Sequence, residues 1–216
     1  MIRRNIGDEA GARSDGVMIV SIIFITAFTY IALTTDPVYT GIGVGDRAPD
    51  LNGQIYDGTV WVDFELGEQF NDTWSEGEPG TYYLVEFMDT NCGICVSAAE
   101  KKFTPQEQAA WLGDNPQRPM PEGVSVEFLA VSISLWDESV SGKSYGRTVV
   151  EDFREAYSHN FPYMDMQDNS HQDDWGNFGT PTYFLIDPSG IIQYTNLETP
   201  GYDFRDALDD IVPRGA

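Results

Sequence analysis

Residues 82–95 read Tyr82-Tyr83-Leu84-Val85-Glu86-Phe87-Met88-Asp89-Thr90-Asn91-Cys92-Gly93-Ile94-Cys95 and contain both cysteines of the chain. The apolar, β-branched and aromatic start of this stretch predicts a buried strand. A short polar turn then leads to two thiols that are two residues apart, and residues 96–103 have the pattern of a helix. The cysteines are therefore predicted at a strand-to-helix junction, where free backbone N–H groups of the first helical turn stabilise a thiolate at Cys92.

The overall composition limits the possible functions. The chain has 216 residues, a formal net charge of −23 and a pI near 4.1. Such an acidic chain lacks the clustered cations that contact phosphates, so nucleic acid is excluded as an expected partner. Two cysteines are too few for disulfide bonds to be the main stabilisation of the fold. The length of the chain allows one globular domain with additional short segments.

The N-terminal region predicts a membrane anchor. Residues 1–15 are polar and are interpreted as a cytoplasmic tail, whereas residues 16–35 carry no charge. Twenty helical residues span about 30 Å, which is roughly the hydrocarbon thickness of a bilayer. Because arginines occur only on the N-terminal flank, the positive-inside bias predicts a single-pass protein whose later residues lie outside the cytoplasm. A cleaved signal peptide is the alternative, but no small-residue cleavage site follows the apolar run.

The remaining segments predict an α/β domain. Residues 36–44 read as a linker, and the domain is expected over residues 45–216, beginning with a small β-hairpin over residues 50–64. Alternating and continuous apolar runs then predict a central strand at 124–134, a short edge strand at 161–166 and a late hairpin at 179–194. Helices are expected at 96–111, with a break near Pro105, at 148–159 and at 203–212. This order indicates a central mixed sheet flanked by helices.

The order of elements, Cys92-Gly93-Ile94-Cys95 after a strand, and Gly179-Thr180-Pro181-Thr182 opening the late hairpin together resemble a thioredoxin-like fold. The likeness is to the membrane-anchored TlpA/ResA type of the AhpC/TSA-Redoxin superfamily, and the opening Gly45-Asp46-Arg47-Ala48-Pro49-Asp50-Leu51 is similar to the N-terminal addition of that group. The resemblance covers residues 43–212. It implies a thiol-disulfide oxidoreductase with no cofactor beyond a redox-active Cys92–Cys95 disulfide.

The resemblance also implies roles for individual residues. Cys92 resembles the exposed, attacking thiol and Cys95 the resolving thiol, while Glu86 matches a buried acid that shuttles the proton of the inner cysteine. A carboxyl in an apolar strand is expected to have a raised pKa. Pro181 resembles a cis-proline that faces the cysteines and leaves the backbone of Thr180 free to pair with substrate. Gly93 and Ile94, between the cysteines, are expected to contact substrate and to influence the reduction potential.

The implied substrates are protein thiols and disulfides, with a membrane or extracytoplasmic partner that exchanges electrons with the pair. Reduction of exported proteins, for example in cytochrome c maturation, is favoured over disulfide formation by the likeness to TlpA/ResA. The chain departs from thioredoxin itself, which has an aromatic residue where Asn91 stands and Gly-Pro between its cysteines. This difference leaves the direction of electron flow open.

Two other functions compete with this interpretation. A thiol peroxidase of the AhpC/TSA type places a threonine three residues before its cysteine, whereas Thr90 is two residues before Cys92. A copper-binding chaperone needs two thiolates and a distal histidine, usually with a wider cysteine spacing. No metal site is predicted, because His159 and His171 lack ligand spacing, and His171 is expected to be solvated in a polar loop.

Overall fold

The computed structural model describes residues 8–34, 38–111, 119–136 and 139–215. The contacts divide the chain into two compact units, residues 1–38 and 39–216. Residues 1–7 of the predicted tail (residues 1–15), and parts of the predicted linker and of two predicted loops, lie outside the described residues.

The first unit contains one helix, α1 (Asp8–Thr34). It begins within the segment predicted to be a tail, and the large apolar side chains between Val17 and Ile31 are exposed. Within the described ranges, no helix combines the length and the apolar content that a membrane crossing requires. The transmembrane anchor predicted for residues 16–35 is therefore not supported.

The second unit is built on one seven-stranded sheet with the order β2-β1-β5-β4-β3-β6-β7. Strands β3, β4 and β5 are parallel to one another, and the other neighbours are antiparallel. The sheet is thus mixed, as the sequence predicts. The elements of this unit are β1 (Asn52–Tyr56), β2 (Trp61–Glu65), β3 (Thr81–Met88), α2 (Gly93–Lys102), α3 (Pro105–Trp111), β4 (Ser125–Ser132), α4 (Arg147–Ala156), β5 (Tyr163–Asp165), α5 (Gln172–Trp175), β6 (Thr182–Ile186), β7 (Ile192–Thr195) and α6 (Phe204–Ile211), with a 3₁₀ turn at Gly67–Gln69.

Strand β3 lies between β4 and β6, and its alternate side chains enter two apolar layers because successive residues of a strand face opposite sides of the sheet. Leu84 and Met88 join the layer formed with α2, α4 and α6. Val85 and Phe87 join the layer that contains Trp175 of α5. With both faces covered, seven of the eight residues of β3 are buried, so the strand is a rigid support for the cysteines that follow it.

Several predictions of local structure are confirmed, one is corrected and one element was missed. The N-terminal hairpin forms as β1 and β2, and the helical pattern breaks before Pro105, since α2 ends at Lys102. However, β5 is not an edge strand, because β1 of the hairpin pairs with its outer side through Ile55 and Met164. The short helix α5 was not predicted, since four residues are too few to show helical periodicity.

Candidate active site

The two cysteines lie where β3 leads into α2. The Cys92 N–H donates to the carbonyl of Asp89 at 2.9 Å, which closes the turn after β3. Cys92 is the residue that caps α2, and its Sγ accepts a hydrogen bond from the Cys95 N–H at 3.4 Å. The predicted junction is therefore observed, and the sulfur atom takes the position that a capping side-chain oxygen occupies in other helices.

This position makes the Cys92 thiol acidic. Burial by itself raises the pKa of Cys92, but hydrogen bonds from the Cys95 thiol and from the N–H groups of Cys95 and Ile94 outweigh it, and the net shift is downward. Such bonds favour the thiolate because the partial positive charge of the helix N-terminus points at the sulfur. Cys92 is the better nucleophile of the pair on electrostatic grounds.

Cys95 has the opposite character. It lies one helical turn further in, and its side chain is 1% exposed compared with 6% for Cys92. Burial raises the pKa of Cys95, and both the hydrogen bond with Cys92 and the nearby charge of Glu86 add to this effect. No disulfide joins the two thiols in this structure. Cys92 is less exposed than the sequence predicted, and its sulfur contacts the Cys95 N–H and the Thr180 carbonyl.

The loop that opens the late hairpin faces Cys92. The Thr180–Pro181 peptide bond is cis, as expected, and Cys92 Sγ donates to the Thr180 carbonyl at 3.6 Å. Thr182 Oγ1 closes the loop by donating to the Gly179 carbonyl at 2.6 Å. Asn196, directly after β7, holds the loop by donating to the Pro181 carbonyl at 3.3 Å. These bonds hold the Thr180–Pro181 segment next to Cys92 Sγ.

Glu86 is buried on β3, where 3% of its side chain is exposed. Desolvation raises the pKa of Glu86 to about 7, although the Tyr183 hydroxyl and the charge of Lys102 both oppose the shift. The Tyr183 hydroxyl donates to Glu86 Oε1 at 3.0 Å. The buried surroundings of Glu86 agree with the predicted direction of the shift, and a pKa in this range suits a group that gains or loses a proton close to neutral pH.

The dipeptide between the cysteines lies at the surface. The Ile94 side chain is 69% exposed and is an apolar contact point beside Cys92. Gly93 is exposed, and a Cβ added there would meet no atom within 4 Å. Space alone therefore does not require glycine at position 93.

Asp89 was not identified from the sequence as a site residue. Its carboxylate is completely buried and accepts bonds from the Asn91 N–H at 2.6 Å, the Leu135 N–H at 2.7 Å and the Tyr145 hydroxyl at 2.9 Å. It joins the cysteine turn to the end of β4 and to the loop before α4. An acid directly after a buried strand was the only signal available, since its partners are 46 and 56 residues away in the chain.

Asn91 makes a second connection between the cysteine turn and the same loop. Its amide donates to the Ser144 carbonyl at 3.0 Å and accepts from the Ser144 N–H at 3.2 Å. Lys143 donates to the Asn91 carbonyl at 3.1 Å, and its ammonium lies 3.8 Å from the centre of the Trp136 ring. The site thus has a wall, formed by Trp136, Lys143 and Ser144, that the sequence analysis did not predict.

The histidines lie away from this site. His171 is buried with 4% exposure and packs against Phe87 and Phe178, so its predicted solvation is wrong. Its polar neighbours in sequence misled the prediction, because His171, at the start of α5, is buried while residues 172–174 are exposed. His159 is also buried and lies 2.6 Å from the Tyr163 hydroxyl through Nδ1. In the part of the chain that the structure describes, no three His, Cys, Asp or Glu side chains are grouped to hold a metal.

No protein-family model matches the sequence, and no curated protein matches it either. Solved structures do match, at low identity. A thioredoxin domain of a thiol-disulfide oxidoreductase from Bacteroides vulgatus has 16% identity and a TM-score of 0.51, covering 79% of this chain and 96% of that chain.

Two further structures have comparable similarity. A hypothetical protein from Sinorhizobium meliloti has 20% identity and a TM-score of 0.54, covering 80% of this chain and 85% of that chain. A reduced 2-Cys peroxiredoxin from Plasmodium vivax has 16% identity and a TM-score of 0.51, covering 78% of this chain and 93% of that chain. At these identities the likeness concerns the fold alone: the chain has a thioredoxin-like α/β fold, with a mixed central sheet flanked by helices.

Proposed function

We propose that this protein is a thiol-disulfide oxidoreductase whose redox centre is Cys92–Cys95. The observation that carries the proposal is the unequal acidity of two adjacent thiols, one capping a helix beside the Thr180–Pro181 loop and the other buried behind it. This arrangement suits exchange in two steps, because the first step needs a thiolate and the second needs a thiol that stays protonated until it is required.

In the reducing direction, the Cys92 thiolate attacks one sulfur of a substrate disulfide, and the other substrate sulfur leaves as a thiolate that takes a proton from water. Cys95 then attacks Cys92 Sγ, the Cys92–substrate bond breaks, and the Cys92–Cys95 bond forms. The Cys95 proton passes to the Glu86 carboxylate, and the second substrate sulfur leaves as a thiolate that is protonated by water. Two electrons move from the cysteine pair to the substrate, and the reverse sequence oxidises a dithiol.

The remaining site residues bind the substrate in this proposal. The Thr180 backbone, next to Pro181, pairs with an extended segment around the substrate cysteine. Ile94 gives an apolar contact beside the attacking sulfur, and Gly93 lets the substrate approach the helix start without a side chain in the way.

The preferred direction is reduction of exported protein disulfides, for example those of apocytochrome c, and the location is outside the cytoplasm with an electron-transfer partner there. The support for both is the sequence resemblance to the TlpA/ResA type at residues 92–95 and 179–182. A reduction potential of Cys92–Cys95 near that of DsbA, about −120 mV, would reverse the proposed direction.

Insulin reduction by the full chain tests the activity. Cys92→Ser is expected to abolish turnover, whereas Cys95→Ser keeps the attacking thiol and is expected to accumulate a mixed disulfide with substrate. Cys92→Ser protein that reduces insulin at the wild-type rate would exclude the proposed function. The matched pair of variants separates loss of the nucleophile from loss of the fold.

A peroxidase activity is tested with the same preparations, because a peroxiredoxin shares this fold. Rapid peroxide consumption that depends on Cys92, without insulin reduction, would favour that alternative.

A further inference from the structure

Tyr183 and Glu86 form a pair in the interior of the sheet. They are directly opposite each other in the antiparallel register of β3 and β6, and both side chains are more than nine-tenths buried. The hydroxyl of Tyr183 donates to Glu86 Oε1 at 3.0 Å. A buried carboxylate is strongly disfavoured without such a donor, so this bond controls both the direction in which the carboxyl points and the ease of its ionisation.

A polar cleft adjoins this pair. Tyr183 is one of its lining residues, and the cleft has a volume of about 270 Å³, which is enough for several water molecules. Two further lining residues form an ion pair, in which Lys102 Nζ lies 2.6 Å from Asp203 Oδ2. Lys102 is seven residues beyond Cys95 on α2, or about 10 Å along the helix axis. The cleft therefore places room for water, and the charge of Lys102, next to the Glu86–Tyr183 pair and away from Cys92.

We infer that Tyr183 is a positioning residue for the proton transfer between Cys95 and Glu86. In this inference, Lys102 on the cleft wall acts on the Glu86 carboxylate through its positive charge. The inference rests on the proposed function, in which the Cys95 proton passes to the Glu86 carboxylate while the Cys92–Cys95 bond forms. Tyr183 donates to the carboxylate throughout this step and neither gains nor loses a proton.

The other titratable groups around Glu86 do not supply this bond. Cys92 and Cys95 at the start of α2 are the reacting groups, and Tyr163 on β5 interacts with Glu86 only through its charge. Asp203, at the start of α6, acts on Tyr183 and binds Lys102. Tyr183 is therefore the side chain whose removal changes the hydrogen bonding of Glu86 while leaving its charged neighbours in place.

The test compares Tyr183→Phe with Tyr194→Phe in the reduced full-length protein. Tyr194 lines the same cleft and is equally buried, but its hydroxyl donates to the Tyr202 carbonyl at 2.8 Å. Carbon-13 NMR of the glutamate carboxyls follows the Glu86 titration directly, and Glu86→Gln identifies its signal. Tyr183→Phe is expected to move the Glu86 midpoint upward by about one pH unit, since it removes a donor to the charged form. Tyr194→Phe is expected to leave the midpoint unchanged.

The same variants are compared in the pH profile of mixed-disulfide resolution. Its inflection is expected to move upward with Tyr183→Phe, in step with the NMR midpoint, and Lys102→Met is expected to move it in the same direction. In a Glu86→Gln background, Tyr183→Phe is expected to cause no further shift. An unchanged NMR midpoint in Tyr183→Phe, or an equal shift in Tyr194→Phe, would overturn the inference. Absence of disulfide exchange in the wild type would instead overturn the proposed function, and the NMR titration would still decide the role of Tyr183.

Discussion

Asp89→Asn is expected to destabilise the domain and to slow the chemistry of Cys92. The carboxylate is completely buried and accepts three hydrogen bonds, one through Oδ1 from Asn91 and two through Oδ2 from Leu135 and Tyr145. An asparagine has nearly the same shape but only one accepting oxygen. If that oxygen faces Leu135 and Tyr145, the new amide N–H points at the Asn91 N–H.

The magnitude follows from this geometry. The substitution removes one hydrogen bond to a charged acceptor, which contributes about 1.5–3 kcal/mol, and it leaves a buried N–H without a partner, which costs about 1–3 kcal/mol. The two effects overlap because they concern the same N–H group. We therefore expect a loss of about 2–4 kcal/mol in the free energy of unfolding, which is roughly 30- to 800-fold in the folding equilibrium.

Asp187→Asn is the control. Asp187 is also a buried aspartate, but it lies in the β6–β7 turn at the other end of the sheet. Its Oδ1 accepts from Ser189 and Ile191, and its Oδ2 accepts from the Gln193 amide at 2.7 Å. An asparagine keeps the Oδ1 bonds, and the Gln193 amide can rotate to present its oxygen. The expected loss is about 1 kcal/mol, which is the value of one altered hydrogen bond.

Urea unfolding followed by tryptophan fluorescence measures both losses, and reaction with a chromogenic disulfide at pH 7 measures the Cys92 rate. The rate is expected to fall in Asp89→Asn, because the Asp89 carboxylate binds the Asn91 N–H in the turn that places Cys92 at the start of α2. It is expected to stay at the wild-type value in Asp187→Asn. A cost below 1 kcal/mol for Asp89→Asn, or equal losses in the two variants, would refute this reading of the hydrogen bonds.

Two further predictions concern Glu86 and Asn91. The folded-state pKa of Glu86 is raised from 4.5 to about 7, so the folded state holds this proton more tightly and stability is lost as pH rises through that range. Glu86→Gln is therefore expected to be more stable than wild type at pH 8 by about 3 kcal/mol, and equally stable at pH 4, in urea titrations at the two pH values; a difference independent of pH would contradict this. Asn91→Ala removes both bonds to Ser144 and is expected to cost about 1–2 kcal/mol and to speed hydrogen exchange of the Ser144 amide. Asn52→Ala, which removes an exposed bond in the β1–β2 hairpin, is the control, and equal exchange rates in the two variants would contradict the prediction.

The sequence predicted most of the fold because its strongest signals are local. The apolar run of β3 and the break before Pro105 depend on residues that are close in the chain, and the structure has both. The position of β5 depends instead on pairing with a hairpin more than 100 residues earlier. Strand pairing over such a distance leaves no periodic pattern in either segment, so an inner strand of three residues was taken for an edge.

The candidate site divides in the same way. Cys92 and Cys95 were identified from their spacing and from the strand before them, whereas Glu86 was named because the resemblance implies a buried acid at that position. Asp89 and Tyr145 were missed, because their roles arise only when the loop before α4 folds back against the cysteine turn. In the sequence alone, a buried acid that accepts bonds from two distant residues cannot be told from a surface aspartate.

Asn91 stands where thioredoxin has an aromatic residue, and its contacts with the loop before α4 give this difference a physical explanation. An aromatic side chain at that position can pack against its neighbours but cannot both donate and accept hydrogen bonds with the backbone of one residue. The Asn91 amide does both, with the carbonyl and the N–H of Ser144. The pairing fixes Ser144 beside the cysteine turn, and Lys143 is held against the Asn91 carbonyl and the Trp136 ring. A hydrogen-bonded wall with a cation on it therefore stands where thioredoxin has an aromatic side chain. Because a positive charge attracts acidic segments, this wall is the part of the site in which, under the proposed function, the substrate preference is expected to differ from that of thioredoxin.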